Sequence, residues 1–198
     1  MKGSRTLAVS RQRPVHSYAE LWHASRCVLD VGLKEPRGSS WQFLSCAVLT
    51  AFTFEAYLNH IGPRTVADWP SKERFAIWSK FKILRKALGV TFPRGKSVRP
   101  LKTIADLFEF RDSLAHGRSL DLKAEKLQSL AAFEKDQSDL VGSQLRTDWE
   151  SRIQNPAFAE LAREDVEAVI RALNAARQDN NDILFNSGIG SHSATLVP

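Results

Sequence analysis

The stretch WQFLSCAVLTAFTF at residues 41–54 decides the fold of this chain. Its residues are apolar on nearly every side of a helix, and the pattern continues through Leu58 until Gly62 and Pro63 end it. The stretch is too short to cross a bilayer and runs directly into Glu55, so it is not expected to be a membrane segment. A helix this apolar must be covered by other elements, which predicts that it lies at the centre of a helical bundle.

Four more helices are predicted where apolar residues recur at helical spacing between turn-forming or capping residues. They cover about residues 18–32, 71–88, 100–116 and 156–173, with Ser71 as the expected N-cap of the second of these and Pro100 in the first turn of the third. Residues 119–151 show no sustained period and are assigned no element. The predicted fold class is therefore all-α, an up-and-down bundle of about five helices.

The chain is expected to form one domain, because its length suits one sizeable core and it shows neither an internal repeat nor a second apolar region. That domain is predicted at residues 17–185. Residues 1–16 contain four Lys and Arg residues and no acid, but no apolar segment of a secretory signal, which indicates a flexible basic arm. Residues 186–198 are mostly small and polar and predict a disordered tail. Cys27 and Cys46 lie in apolar helical patterns without metal-binding spacing, as expected for free thiols in a reducing cytoplasm.

The charge of the chain favours a polyanionic partner such as RNA or DNA. The formal net charge is +6 and the pI about 9.5. Residues 71–102 hold ten Lys and Arg residues against Glu73 alone, a local balance of +9. Such a segment is usually a solvated face, but concentrated positive charge is also what binding to an RNA backbone requires.

The segment FRDSLAHGR at residues 110–118 places Arg111 and His116 at the predicted end of a helix, directly before Gly117. On an ideal helix these two side chains point roughly 140° apart around the axis and lie about 7.5 Å apart along it. Both can reach one phosphate only if the helix loosens before His116, which a following glycine favours. Asp112 precedes His116 by four residues and is placed to orient its imidazole by hydrogen bonding.

These residue types suit metal-independent RNA cleavage, in which the ribose 2′-hydroxyl attacks the adjacent phosphorus. A histidine side chain can take or give the proton near neutral pH, and an arginine fork stabilises charge on the phosphate oxygens. The pattern is short and also recurs by chance. The alternative interpretation is structural: Arg111 pairs with a carboxylate of the bundle, and His116 caps the helix.

Two segments in order give the chain a resemblance to a known family: FEAYLN at residues 54–59 on the central helix, and FRDSLAHG at residues 110–117. Over about residues 40–175 the chain resembles the HEPN superfamily (higher eukaryotes and prokaryotes nucleotide-binding), which is marked by an R-x4-6-H motif, usually with a polar residue after the arginine. Arg111, Asp112 and His116 match this motif, and Glu55 is similar to the acidic residue often found on the preceding core helix. Asp112 stands where asparagine is commoner, and an ionised aspartate only accepts hydrogen bonds.

The resemblance implies a HEPN-like core that dimerises, so that the motifs of two copies share one cleft, and a metal-free endoribonuclease of toxin or antiviral systems. It implies catalysis by Arg111 and His116 with support from Asp112 and Glu55, an antitoxin protein as a further partner, and no cofactor. Glu55 also has a structural interpretation, because a carboxyl group in so apolar a helix must either meet a cation such as Arg111 or be neutral. His23 and His60 have no partners at metal-ligand spacing, and no metal site is predicted.

Two other functions stay open beside the ribonuclease hypothesis. One is a noncatalytic HEPN module that binds nucleotide, RNA or a protein partner through the same cleft, and the other is a structural helical protein whose basic segment contacts DNA. The candidate RNA-binding residues are Lys82, Arg85 and Lys86 in the basic segment and Arg118 just past the motif. A cytoplasmic location without membrane association is expected.

Overall fold

The computed structural model describes residues 7–123, 129–130, 132, 145–178, 183–188 and 191–196. Within these residues the chain is mostly helical, which confirms the all-α prediction. Six α-helices occur in the described ranges: α1 Ser17–Lys34, α2 Ser40–Thr65, α3 Ile77–Ala87, α4 Leu101–Ala115, α5 Asp148–Arg152 and α6 Ala157–Ala175. The five long helices correspond to the five predicted ones, and α5 has only five residues. Short 3-10 turns lie at Trp69–Ser71 and Gly95–Ser97.

Helix α2 lies at the centre of the bundle, where its apolar sequence predicts it to be. It packs against α1, α3, α4 and α6, and Phe54, Tyr57 and Leu58 are fully buried on it. Helices α1 and α2 approach each other closely because Gly32 has no side chain, since a Cβ there would lie 2.7 Å from the ring of Phe43. None of the helices in the described part of the chain is long and apolar enough to cross a membrane.

The bounds of two helices differ from the prediction. Helix α2 continues past Pro63 to Thr65, and helix α3 begins at Ile77 rather than after Ser71. The reason is a tertiary contact: Trp69 is buried against Gly62, where a Cβ would lie 2.0 Å from the indole ring. This contact fixes residues 69–71 as a separate turn, and the Ser71 hydroxyl donates to the Asp68 carbonyl within that turn instead of capping α3.

The two ends of the described chain also differ from the prediction of a flexible arm and a disordered tail. Strand β1, Leu7–Gln12, pairs antiparallel with strand β2, Ser191–Leu196, with Leu7 opposite Leu196. Residues 8–12 and 191–195 are exposed, so neither segment needs the apolar alternation by which a half-buried strand is recognised. Pairing here depends on backbone groups, which every residue other than proline supplies. Residues 1–6, 189–190 and 197–198 of the predicted arm and tail lie outside the described residues.

The segment before β2 packs back on α1. Phe185 stacks on Trp22 with ring centroids 4.6 Å apart, and His23 Nε2 donates to the Phe185 carbonyl oxygen at 2.8 Å. His16 Nδ1 donates to the Asn186 carbonyl oxygen at 3.0 Å. These two histidines therefore connect the start of the helical domain to its end.

Candidate functional site

Helix α4 carries the Arg-x4-His motif and presents its end to solvent. Its buried residues, among them Ile104, Leu107 and Phe108, fix it against α2 and α6. Asp112 and His116 are exposed. The helix stays regular through Ala115, and His116 is its C-cap, whose backbone N–H still donates to the Asp112 carbonyl at 2.9 Å.

This regular geometry corrects the expectation that the helix loosens before His116. Over an intact helix, Arg111 and His116 remain roughly 140° apart around the axis. Gly117 has an ordinary backbone conformation, and its importance is steric, since a Cβ there would lie 2.7 Å from the Ser113 carbonyl oxygen. The two motif side chains of one copy therefore diverge.

Arg111 is held by its neighbours on α4. Its side chain is 25% exposed, its guanidinium carbon lies 5.2 Å from the centre of the Phe108 ring, and Nε lies 3.0 Å from Asp112 Oδ1. The N–H of Nε is not directed at that oxygen, so this contact is an ion pair by distance and Nε has no hydrogen-bond partner. Asp112 thus contacts Arg111, and no contact between the Asp112 and His116 side chains is found in the described part of the chain. The expected orientation of the imidazole by Asp112 is replaced by orientation of the guanidinium.

Glu55 has a structural partner. Lys80 on α3 donates to Glu55 Oε1 at 2.8 Å and to Asn59 Oδ1 at 3.2 Å. The Lys80 side chain is only 2% exposed, whereas that of Glu55 is 32% exposed. The cation that the apolar environment of Glu55 requires is therefore Lys80 rather than Arg111. Among the described residues Glu55 makes no contact with Arg111 or His116.

The local excess of positive charge at residues 71–102 is smaller than the sequence suggests. Four of the ten cations are paired with acids: Lys72 with Asp68, Lys80 with Glu55, Arg99 with Glu164 and Asp165, and Lys102 with Asp106. The hydrogen bonds from Arg99 to Asp165 raise the pKa of the guanidinium. Lys96 lies 3.6 Å from the centre of the Trp78 ring, and burial lowers the pKa of its amine.

Lys82, Arg85 and Lys86 form what we call the basic face of α3. Lys82 and Lys86 are exposed and Arg85 is half-buried, while Phe81 and Leu84 point into the core. None of the three basic side chains has an acidic partner within the described residues. The structure therefore leaves these three predicted RNA-binding residues open to an anionic ligand.

Arg118 lies in a different place, at a cleft between the end of α4 and α5. The cleft has a volume of about 430 Å³. From α4 and the residues after it come Glu109, Phe110, Ser113, Gly117, Arg118 and Leu120, and from α5 and the residues before it come Arg146, Thr147, Asp148, Trp149 and Arg152. Arg111, Asp112, His116 and Glu55 do not line it. The cleft nevertheless begins one residue after His116.

Sequence reasoning missed the α5 side of this cleft, although the sequence contains a sign of it. Thr147 and Glu150 form a capping box: the Thr147 hydroxyl accepts from the Glu150 N–H, and Glu150 Oε2 accepts from the Thr147 N–H at 2.7 Å. This backbone hydrogen bond lowers the pKa of Glu150. The pattern Thr-x-x-Glu at residues 147–150 marks a helix start that the periodicity of so short a helix cannot reveal.

Comparison with known proteins adds no family to this geometry: no family model, no curated protein and no solved structure matches the chain. Among the described residues no group of three or more His, Cys, Asp and Glu side chains is arranged to hold a metal ion. The candidate site therefore rests on the end of α4, the basic face and the cleft beside α5.

Proposed function

We propose that this chain is a metal-independent endoribonuclease of the HEPN type that acts as a homodimer in the cytoplasm, as a toxin or antiviral effector that an antitoxin protein neutralises. The observation that carries the proposal is the end of α4. An exposed imidazole follows a regular helix, and an arginine on the same helix is held in a fixed direction by Phe108 and Asp112.

In the proposed reaction, His116 accepts the proton of a ribose 2′-hydroxyl. The 2′-oxygen attacks phosphorus, the bond from phosphorus to the 5′-oxygen breaks, and a 2′,3′-cyclic phosphate forms. The 5′-oxygen leaves with a proton from water, so each site uses one His116. Arg111 stabilises the charge on the phosphate oxygens in the transition state. No step requires a cofactor.

The homodimer follows from the divergence of Arg111 and His116. Because the two side chains of one copy point away from each other, we infer that Arg111 of one copy acts with His116 of its partner. Glu55 is a structural residue in this proposal, since its carboxylate holds Lys80.

The first test is cleavage of single-stranded RNA in EDTA. We expect the wild-type protein to cleave, His116→Ala and Arg111→Ala to be inactive, and RNA with 2′-deoxyribose at the cleavage site to survive. His192→Ala and Arg26→Ala are matched controls, because both residues are exposed and lie outside the motif. Binding without cleavage would favour the noncatalytic module, and a preference for duplex DNA would favour the structural DNA-contacting alternative.

The second test mixes the two inactive variants. If each site combines Arg111 of one copy with His116 of the other, a heterodimer of the two variants contains one intact site out of two. Random assortment then restores about a quarter of wild-type activity. An inactive mixture whose subunits have demonstrably exchanged contradicts the shared site and leaves catalysis within one copy.

A further inference from the structure

The cleft beside α5 combines positive charge with an aromatic wall. Three arginines line it, Arg118, Arg146 and Arg152, against two acids, Glu109 and Asp148. An excess of arginine suits a phosphate, because the planar guanidinium presents several N–H donors to its oxygens. The volume of about 430 Å³ lies within the range of about 300–1,000 Å³ that is usual for small-ligand sites.

Two of the cleft residues are held in position by the bundle. The guanidinium of Arg152 lies 5.1 Å from the centre of the Phe158 ring, and its Nη1 donates to the Asp106 carbonyl at 3.5 Å. Trp149 is half-buried against the hydrophobic core, so part of its indole still faces solvent. A fixed cation beside a partly exposed indole fits a ligand that has both an anionic group and a flat ring.

The cleft is continuous with the proposed catalytic residue. Gly117 and Arg118 line it, and His116 directly precedes them. The bare Cα of Gly117 lies against the Ser113 carbonyl, so the chain leaves α4 without a side chain between His116 and the cleft. A polymer whose scissile phosphate sits at His116 therefore places its next nucleotide at the cleft.

We infer that this cleft binds one nucleotide of the RNA, adjacent to the nucleotide that reacts, with its base against Trp149 and its phosphate on Arg118, Arg146 and Arg152. The inference rests on the proposed ribonuclease function and adds the site that gives it a base preference.

The experiment measures cleavage of an RNA pool with randomised positions around the cut, together with binding of a 2′-deoxy-blocked oligonucleotide. We expect wild-type protein to prefer particular bases at one position next to the cut. Trp149→Ala should flatten that preference and weaken oligonucleotide binding roughly tenfold, which is the effect of losing one base–aromatic stacking contact. Trp149→Phe should retain both properties, because a phenyl ring still stacks.

Arg146→Gln is the second variant, and it protects the test against misfolding of the Trp149 variant. We expect it to raise KM roughly tenfold while kcat at saturating RNA stays within about twofold, because a contact made equally in ground state and transition state changes KM alone. Arg26→Gln on α1 is the matched control, since Arg26 pairs with Asp30 and does not line the cleft. Unchanged base preference and unchanged affinity in both Trp149→Ala and Arg146→Gln would overturn the assignment.

The outcomes separate this inference from the proposed function. If His116→Ala loses cleavage and both cleft variants behave like wild type, the ribonuclease function is supported and nucleotide binding in the cleft is contradicted. If wild-type protein does not cleave RNA but binds the oligonucleotide, and both cleft variants weaken that binding, the ribonuclease function is contradicted and nucleotide binding in the cleft is supported. Competition by nucleoside 3′-monophosphates distinguishes free nucleotide from RNA: tighter binding of a monophosphate than of the oligonucleotide would contradict an RNA subsite.

Discussion

Replacing Glu55 with alanine should destabilise the protein more than replacing its partner Lys80 with methionine. The two side chains form one ion pair, with Lys80 Nζ 2.8 Å from Glu55 Oε1, but they differ in exposure. The Lys80 side chain is 2% exposed and the Glu55 side chain 32% exposed. The cost of breaking the pair therefore depends on which charge is left behind.

Glu55→Ala leaves a buried ammonium with Asn59 as its remaining partner, 3.2 Å away. Removing one partner of a buried pair costs about 3–5 kcal/mol, and we expect about 3 kcal/mol here because Asn59 remains. Lys80→Met leaves a carboxylate that water reaches, and methionine preserves most of the apolar stem. That change should cost about 1 kcal/mol. The double variant leaves no unpaired charge, so it should be more stable than the sum of the single changes predicts.

Urea and thermal unfolding followed by circular dichroism measure these free energies. For a chain of this size 1 kcal/mol corresponds to about 2–4 °C in Tm, so Glu55→Ala should melt about 6–12 °C below wild type. A larger loss for Lys80→Met than for Glu55→Ala would refute the reasoning from exposure. RNA cleavage by folded Glu55→Ala at low temperature should stay near the wild-type rate, whereas a loss as large as that of His116→Ala would return Glu55 to the catalytic residues.

Three further changes test the site and the core. Asp112→Asn should lower the cleavage rate several-fold, because it removes the charge that holds the Arg111 guanidinium. An unchanged or higher rate would mean that Asp112 is not needed to hold it. Replacing all three residues of the basic face with glutamine should make the slope of log K against log salt for RNA binding less negative by about 2. The same replacement of Arg26, Lys72 and Arg171, which are paired with acids, should change the slope less. Burial raises the pKa of the Cys46 thiol from 9.0 to about 11, so the folded state keeps a proton that the unfolded state loses. Stability should therefore fall by up to about 2–3 kcal/mol as pH rises from 9 to 11, and urea unfolding of Cys46→Ala should lack that part of the decrease.

The five long helices could be predicted because each buries apolar residues that recur with the helical period. The apolar surface of α2 and the stripe of α6 are properties of consecutive residues, so the sequence alone shows them. The start of α3 could not be predicted in the same way. It depends on Trp69 packing against Gly62, and a contact between side chains on separate elements leaves no periodic pattern.

The candidate site also has one part that helix geometry predicts and another that only packing determines. The divergence of Arg111 from His116 follows from helix geometry once α4 is known to be regular, and the structure shows that regularity at the His116 N–H. The partner of Glu55 could not be read from the sequence, because Lys80 is one of ten cations in its segment. Only the packing of α3 against α2 selects Lys80 from among them.

The proposed site of this chain lies at helix ends, and the reason is geometric. The middle of each long helix is occupied by core contacts, whereas the proposed site residues lie at or beside helix ends: His116 at the end of α4, and Arg146 in the cleft just before α5. Periodicity identifies the middles and is weakest at the ends. Capping patterns identify the ends directly. Here Gly117 marks the end of α4 and the Thr147–Glu150 box marks the start of α5, which are the two walls of one cleft. The segment between them is the one to which periodicity assigns no element.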